Sequence, residues 1–122
     1  MSGHLSLVTV SLGSGLQLRA IVIDTPQTAS YLAAGGRIGV LFKETEAILS
    51  LTDGAQTSVD NWLTARVESL EEGELLSRVA LRSEDGPITA VAARGSVRRL
   101  GLKAGKEVYV LIPLNEIMLT EL

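Results

Sequence analysis

Apolar and polar positions alternate along most of this chain, and glycines, prolines and short polar runs interrupt the alternation at regular places. Leu5 to Leu12, LSLVTVSL, steps between apolar and mostly hydroxyl residues and is rich in β-branched side chains, which predicts a strand. Gly13-Ser14-Gly15 turns, and Leu16 to Ile23 returns as a second strand with Gln17 and Arg19 on a wet face. Asp24-Thr25-Pro26 is a helix start, with a capping side chain followed by proline; the short helix TASYLAA ends at Gly35-Gly36. Strands follow at Arg37 to Phe42 and Ala47 to Leu51.

The polar stretch TDGAQTSVD, from Thr52 to Asp60, reads as a boundary. Beyond it the grammar repeats. Strands are expected at Leu63 to Ser69, Leu75 to Arg82, Ile88 to Ala93, Glu107 to Ile112 and Ile117 to Thr120. A hairpin loop falls at Glu71-Glu72-Gly73-Glu74, a turn at Asp85-Gly86-Pro87, a short helix capped by Ser96 and a turn at Gly105. Laid on itself with a shift of 70, the chain matches Leu18 to Ile88, Ala20 to Ala90, Leu32 to Leu102, Gly35 to Gly105 and Val40 to Val110. The agreement of apolar and turn positions runs over about thirty-five residues, which marks a tandem repeat.

The order of elements in the second unit, residues 54–122, is five strands with a helix between the third and fourth. That is the order of a small barrel of the oligonucleotide/oligosaccharide-binding (OB) type. The first unit, residues 1–53, has four strands, because the counterpart of Leu63 to Ser69 falls before residue 1. The expected fold class is therefore all-β: tandem five-stranded OB-like barrels, each with one short helix, the first lacking its first strand. An apolar sheet left with an open edge associates readily. A homo-oligomer with strand exchange is expected, or a chain that is part of something longer.

Composition narrows the function. Hydrophobic residues make up 46% of 122, aromatics only 3%, and the net charge is −3. The core must be aliphatic, and a nucleic-acid surface is disfavoured because both the basic footprint and the stacking rings are missing. With no Cys and one His there is no thiolate nucleophile, no disulfide framework and little material for a metal site or a triad. No apolar run reaches the roughly 18 residues that span a bilayer, and the start MSGHLSL lacks a basic region before an apolar block. The acidic run Glu68, Glu71, Glu72, Glu74 lacks the spacing of a calcium loop and reads as an exposed hairpin. The expectation is a cytoplasmic binding protein and not an enzyme, with no direct contact to nucleic acid or membrane.

Two stretches carry a resemblance. Ser58-Val59-Asp60-Asn61-Trp62-Leu63 and Arg99-Leu100-Gly101-Leu102-Lys103-Ala104-Gly105-Lys106-Glu107-Val108 resemble the molybdate-binding Mop family, a TOBE-like domain. That family also forms the ligand-binding tail of ModE-type regulators and of molybdate transporter ATPases, and tandem di-Mop pairs are common in it. The resemblance is close in the second stretch, partial in the first, and fainter from about Leu5 to Leu51. It implies binding of molybdate or tungstate, without covalent chemistry, in shallow sites where units and subunits meet. The ligand would be held by backbone N–H groups, hydroxyls and a Lys or Arg. The implied role is storage and homeostasis, or ligand sensing within a regulator or transporter. The alternative is a structural or oligomerisation barrel that has lost its ligand.

The residues this points to are Thr25, Thr28, Lys43, Ser58, Asn61, Arg94, Gly95 and Ser96. A tetrahedral dianion needs convergent hydrogen-bond donors, and helix starts at Thr25 to Thr28 and Arg94 to Val97 offer them. The chain departs from the family pattern at five positions. Asp60 stands where the family has Arg, Ala93 and Ile23 where it has Thr, Pro26 where Ser96 has its counterpart, and Pro113 where Lys43 has its own. Each unit thus keeps part of a site, and a whole one requires Lys43 from one unit with Ser58, Asn61 and Ser96 from the other. Read without the resemblance, Ser96 and Thr25 are ordinary caps, Ser58 and Asn61 shape a loop, Lys43 pairs with Glu44 or Glu46, and Arg94, Arg98, Arg99, Lys103 and Lys106 form a solvated face.

Overall fold

A computed structural model describes residues 6–22 and 35–121 of the chain. The strands are β1 (Ser6–Ser11), β2 (Gln17–Val22), β3 (Ile38–Leu41), β4 (Ile48–Ser50), β5 (Asn61–Glu72), β6 (Leu76–Ser83), β7 (Gly86–Ala93), β8 (Glu107–Ile112) and β9 (Met118–Glu121). One helix, α1 (Arg94–Arg99), follows β7. Single 3-10 turns at Glu44–Glu46, Gly54–Gln56 and Leu114–Glu116 lead into β4, the boundary stretch and β9. The protein is all-β with OB-like barrels, as the alternation predicts. The helix expected in the first unit lies outside the described residues.

β5 organises the second unit. Its inward positions Asn61, Leu63, Ala65 and Val67 are buried and alternate with exposed or half-buried neighbours. Its first half pairs antiparallel with β8, from Asn61 opposite Ile112 to Arg66 opposite Glu107. Its second half pairs with β6, from Arg66 opposite Arg82 to Glu72 opposite Ser77, with the register shifted between Val67 and Ser69. The extra residue makes a bulge, which bends the strand so that it serves both neighbours. The acidic hairpin therefore turns later than the sequence suggests: Glu71 and Glu72 are still in the strand. The order of the large sheet is β4-β8-β5-β6-β7.

β4 belongs to the first repeat, yet it pairs with β8 of the second, and β9 of the second pairs with β3 of the first. The exchange is reciprocal and keeps one register. Ile48 faces Leu111 as Met118 faces Leu41, and Leu49 faces Val110 as Leu119 faces Val40. Each equivalent pair differs by 70 in number, so the repeat becomes a pseudo-two-fold axis. β7 rests on the 44–46 turn and β4, as β2 rests on the 114–116 turn and β9. The shift of 70 holds from β2 onward. In β1 it becomes 71, because Val8 pairs with Ala20 while Val79 pairs with Ala90. The added residue is in the longer first hairpin turn.

The core runs through both units. Leu18, Ala20 and Ala47 from the first repeat join Leu63, Val67, Val79, Leu81, Ala90, Val97, Val108, Val110, Ile112 and Ile117 from the second in one apolar cluster. Polar contacts add to it at the hairpin tips: the Ser14 N–H and Oγ–H donate to the two Asp85 carboxylate oxygens at 3.1 and 2.7 Å. Trp62, on the outer side of β5, meets Tyr109 edge to face at 6.1 Å. A Cβ on Gly54 would collide with the Trp62 indole, so the boundary turn is glycine because the ring lies against its backbone.

Candidate functional site

The helix that was expected to be capped by Ser96 starts earlier. Ala93 is the N-cap and has no side-chain hydrogen bond to give, so Ser96 sits inside the first turn. The cause is the sheet. The Arg94 N–H donates to the Leu75 carbonyl at 2.9 Å, so the chain leaves the β6–β7 ladder and enters the helix without a free stretch. Gly101, at φ +65°, ends the helix; its N–H donates to Arg98 O and that of Leu102 to Val97 O. Val97 points into the core, so the helix is held by one buried residue and displays the rest.

Ser96 and Arg99 are three residues apart, one helix turn, and so share a face. That face lines a cleft of about 290 Å³ whose far wall is Ala47, Ile48 and Leu49 of the first repeat. The strand exchange therefore brings a hydroxyl and a guanidinium of one unit against the last strand of the other. Lys43 is the residue before the 44–46 turn that leads to that wall, and it is exposed. Its acidic neighbour Glu44 is drawn instead to Arg78 on β6, 3.5 Å away. Among the described residues no ion pair is made by Lys43, Arg94, Arg99, Lys103 or Lys106. Lys43 thus does not neutralise itself on its own loop.

Arg98 is the member of the cluster that is spoken for. Its Nε and Nη2 donate to the two Glu72 carboxylate oxygens at 3.0 and 3.2 Å. This fork of hydrogen bonds, aided by the charges of Arg98 and Arg94, holds the Glu72 carboxyl below the ordinary glutamate range and raises Arg98 above its own. The acidic hairpin end is therefore tied down by the helix.

Asn61 has a different part from the one expected of it. It is 1% exposed, its Oδ1 accepts from the Arg19 N–H at 2.7 Å and its Nδ2 donates to the Arg19 carbonyl at 2.8 Å. Both polar atoms are used to clamp β2 of the first repeat to the start of β5. Asp60 beside it pairs with the Arg19 guanidinium at 3.1 Å, so the carboxylate that replaces the family's Arg is balanced by a cation. Ser58 is exposed in the boundary stretch, where Thr57 caps the turn with its hydroxyl on Gly54 O. Asn61 begins β5, while α1 follows the edge where β5 ends, so within one chain Ser58 and Asn61 stand apart from Ser96. Thr25 and Thr28 lie outside the described residues. The structure brings together Ser96, Arg99 and the segment that follows Lys43, with Arg94 and the exposed Gly95 one turn away. Arg99 is the residue that sequence reasoning passed over as solvated; its spacing from Ser96 was the available signal.

Two exchanged OB-like barrels share a cleft lined mostly by apolar side chains, with Ser96 and Arg99 as its polar members, which is the architecture of a small binding module. The chain belongs to the TOBE domain family, whose pattern matches residues 57–119. The TOBE domain is a binding domain and not an enzyme. It is 28% identical over 114 residues to the molybdenum import ATP-binding protein ModC of Pasteurella multocida (strain Pm70), covering 91% of this chain and 32% of that protein. The chain thus spans about a third of the length of that relative. Among solved structures it is similar to the cytoplasmic molybdate-binding protein ModG in a form with molybdate bound, with a TM-score of 0.86 and 27% identity, covering 100% of this chain and 88% of that one. MopII from Clostridium pasteurianum matches 48% of this chain at 29% identity, with a TM-score of 0.45. No helix among the described residues is long and apolar enough to cross a membrane.

Proposed function

We propose that this chain binds molybdate, or the equally shaped tungstate, in the cytoplasm. It serves either as a store that buffers the oxyanion or as the ligand-sensing part of a longer regulator or transporter. The observation that carries this reading is the likeness, over the full length of the chain, to ModG with molybdate bound. The chemistry of the cleft supports it. Ser96 and Arg99 line the cleft, Arg99 and Lys43 make no ion pair with a described acid, and the Gly95 backbone stands next to Ser96 in the chain. Each charge-assisted hydrogen bond is worth about 1.5–3 kcal/mol, so four or so reach micromolar binding after the cost of association. Under the shift of 70, Thr25 and Thr28 take the places of Gly95 and Arg98, while Pro113 takes the place of Lys43. Proline has no cation to offer there, so one strong site per chain is the reading.

Isothermal titration with molybdate, with sulfate as the control, tests it on a sample of known oligomeric mass. Micromolar heats for molybdate alone are expected. Lys43→Ala, Ser96→Ala and Arg99→Ala should each weaken binding by about tenfold or more with an unchanged melting temperature. A folded sample that gives no heat and no thermal stabilisation sinks the proposal. It would leave the second reading, a barrel scaffold without ligand, which the commitment of Asn61 and Asp60 to Arg19 favours.

A further inference from the structure

We propose that Arg78 is a positioning residue of the oxyanion site: its guanidinium holds the Glu44 carboxylate at β6 and so leaves the Lys43 ammonium unpaired and open to the anion. The proposal rests on the reading of the cleft as a molybdate site. Lys43 and Glu44 are neighbours in the chain, at the entry to the 44–46 turn. An ammonium and a carboxylate placed so close on an exposed loop attract each other, and an anion must then displace the carboxylate to reach the lysine. Here another cation competes for that carboxylate. Glu44 Oε2 lies 3.5 Å from Arg78 Nη2. Arg78 belongs to the other repeat, opposite Val91 in the β6–β7 ladder. The turn rests on β7, so Glu44 reaches past that strand to β6. Glu46, the other acid of the turn, makes no ion pair among the described residues, and its N–H donates to the Lys43 carbonyl at 2.9 Å.

The repeat supplies a comparison within the molecule. By the shift of 70, Lys43 corresponds to Pro113 and Glu44 to Leu114; by the shift of 71 that holds in β1, Arg78 corresponds to Leu7. Val91 opposite Arg78 is matched by Ile21 opposite Leu7. The 114–116 turn rests on β2 as the 44–46 turn rests on β7. The scaffold of the two turns is therefore the same, and the charges on it are not. Where the lysine is a proline, both members of the ion pair are leucines. Glu46 is matched by Glu116, so an acid is present on both turns. What accompanies the lysine is the acid next to it, together with the arginine that draws that acid off.

The two side chains of the pair are 58% and 44% exposed, so their attraction adds little to stability. Its consequence is electrostatic. The turn leads directly into Ala47 to Leu49, the wall that faces Ser96 and Arg99 across the cleft. A carboxylate kept on Arg78 is one that does not occupy the lysine of this segment.

The test is a double-mutant cycle on the full chain, read by isothermal titration with molybdate: Arg78→Ala, Glu44→Gln and the two together. Arg78→Ala is expected to weaken binding about three- to fivefold, the size of one exposed ion pair turned against the site. Glu44→Gln should bind no more weakly than the wild type, and Arg78→Ala should cost nothing further in that background. Acetylation of the three lysines by an amine reagent, without ligand and followed by mass spectrometry, gives a second readout. Relative to Lys103 and Lys106, Lys43 should react more slowly in Arg78→Ala, because Glu44 then holds it, and adding Glu44→Gln should restore the rate. An equal loss from Arg78→Ala in both backgrounds overturns the proposal, because Arg78 would then act through its own charge. A loss in Glu44→Gln as large as that in Arg78→Ala overturns it too, since the pair would merely fasten the turn. So does Lys43 labelling that is the same in all four proteins. Absence of molybdate heat from the folded wild type overturns the reading of the cleft and this proposal with it; heat from the wild type with any of the other adverse results overturns this proposal alone.

Discussion

Asn61 shows how one residue can be read correctly as special and wrongly as to its part. A buried amide must place both its oxygen and its nitrogen, and here the Arg19 peptide group takes both. Asn61→Ala would leave an N–H and a carbonyl of β2 facing the core without partners. The expected loss is about 2–4 kcal/mol, read as a lower urea midpoint, with molybdate heats retained while the chain stays folded. The sequence shows a polar residue at a boundary before a strand; the partner is 42 residues away. No local pattern names such a partner.

Glu72 and Arg98 allow a second test at this scale. The folded carboxyl is held below its ordinary value, so its contribution is present above the unfolded value and is lost as pH falls through the folded one. Both side chains are exposed to solvent, so the effect belongs to the titration curve rather than to overall stability. The Glu72 carboxyl resonance should titrate with a midpoint below that of an ordinary glutamate. Arg98→Ala should move the midpoint back up.

Among elements, alternation located every described strand to within a few residues, because burial on one face writes period two into the chain. The misplaced ends have physical causes. α1 begins at Arg94 because its N–H is already paired to Leu75, so the sheet and not the cap decides the start. β5 begins at Asn61 and runs to Glu72 because it spans two neighbours with a bulge between them. What alternation could not say is which strand lies beside which. β9 follows β8 in sequence but pairs with β3. Leu119, packed on the shared core opposite Val40, makes this testable. Leu119→Ala should cost about 1–2 kcal/mol, less than a fully buried leucine, and should speed amide exchange in residues 38–41 of the other repeat. Exchange confined to the second repeat would contradict the pairing.

For the whole molecule, the repeat and the folding unit are different things. The pattern recurs at 70 residues in sequence, yet β4 pairs with β8 and β9 with β3, and one apolar cluster spans both copies. Residues 1–53 and 54–122 expressed apart should therefore fail to fold singly, and the intact chain should melt in one transition with equal calorimetric and van't Hoff enthalpies. Two separate transitions, or a stable half, would count against the shared core.

Short-range physics accounts for what could be read from the chain unaided. Alternating burial, glycines at turns such as Gly35 and Gly105, and the recurrence at 70 residues all act within a strand or between copies of one pattern. They announce an all-β pair of OB-like units and the lysine, serine and arginines near their ends. Folding alone decided that β4 and β9 change places, that Asn61 clamps a backbone instead of facing a ligand, and that Ser96 and Arg99 look across a cleft at Ala47 to Leu49. Those choices depend on which of two nearly identical edges a strand finds. Two copies with one pattern leave that open until three-dimensional packing selects the arrangement that buries the most.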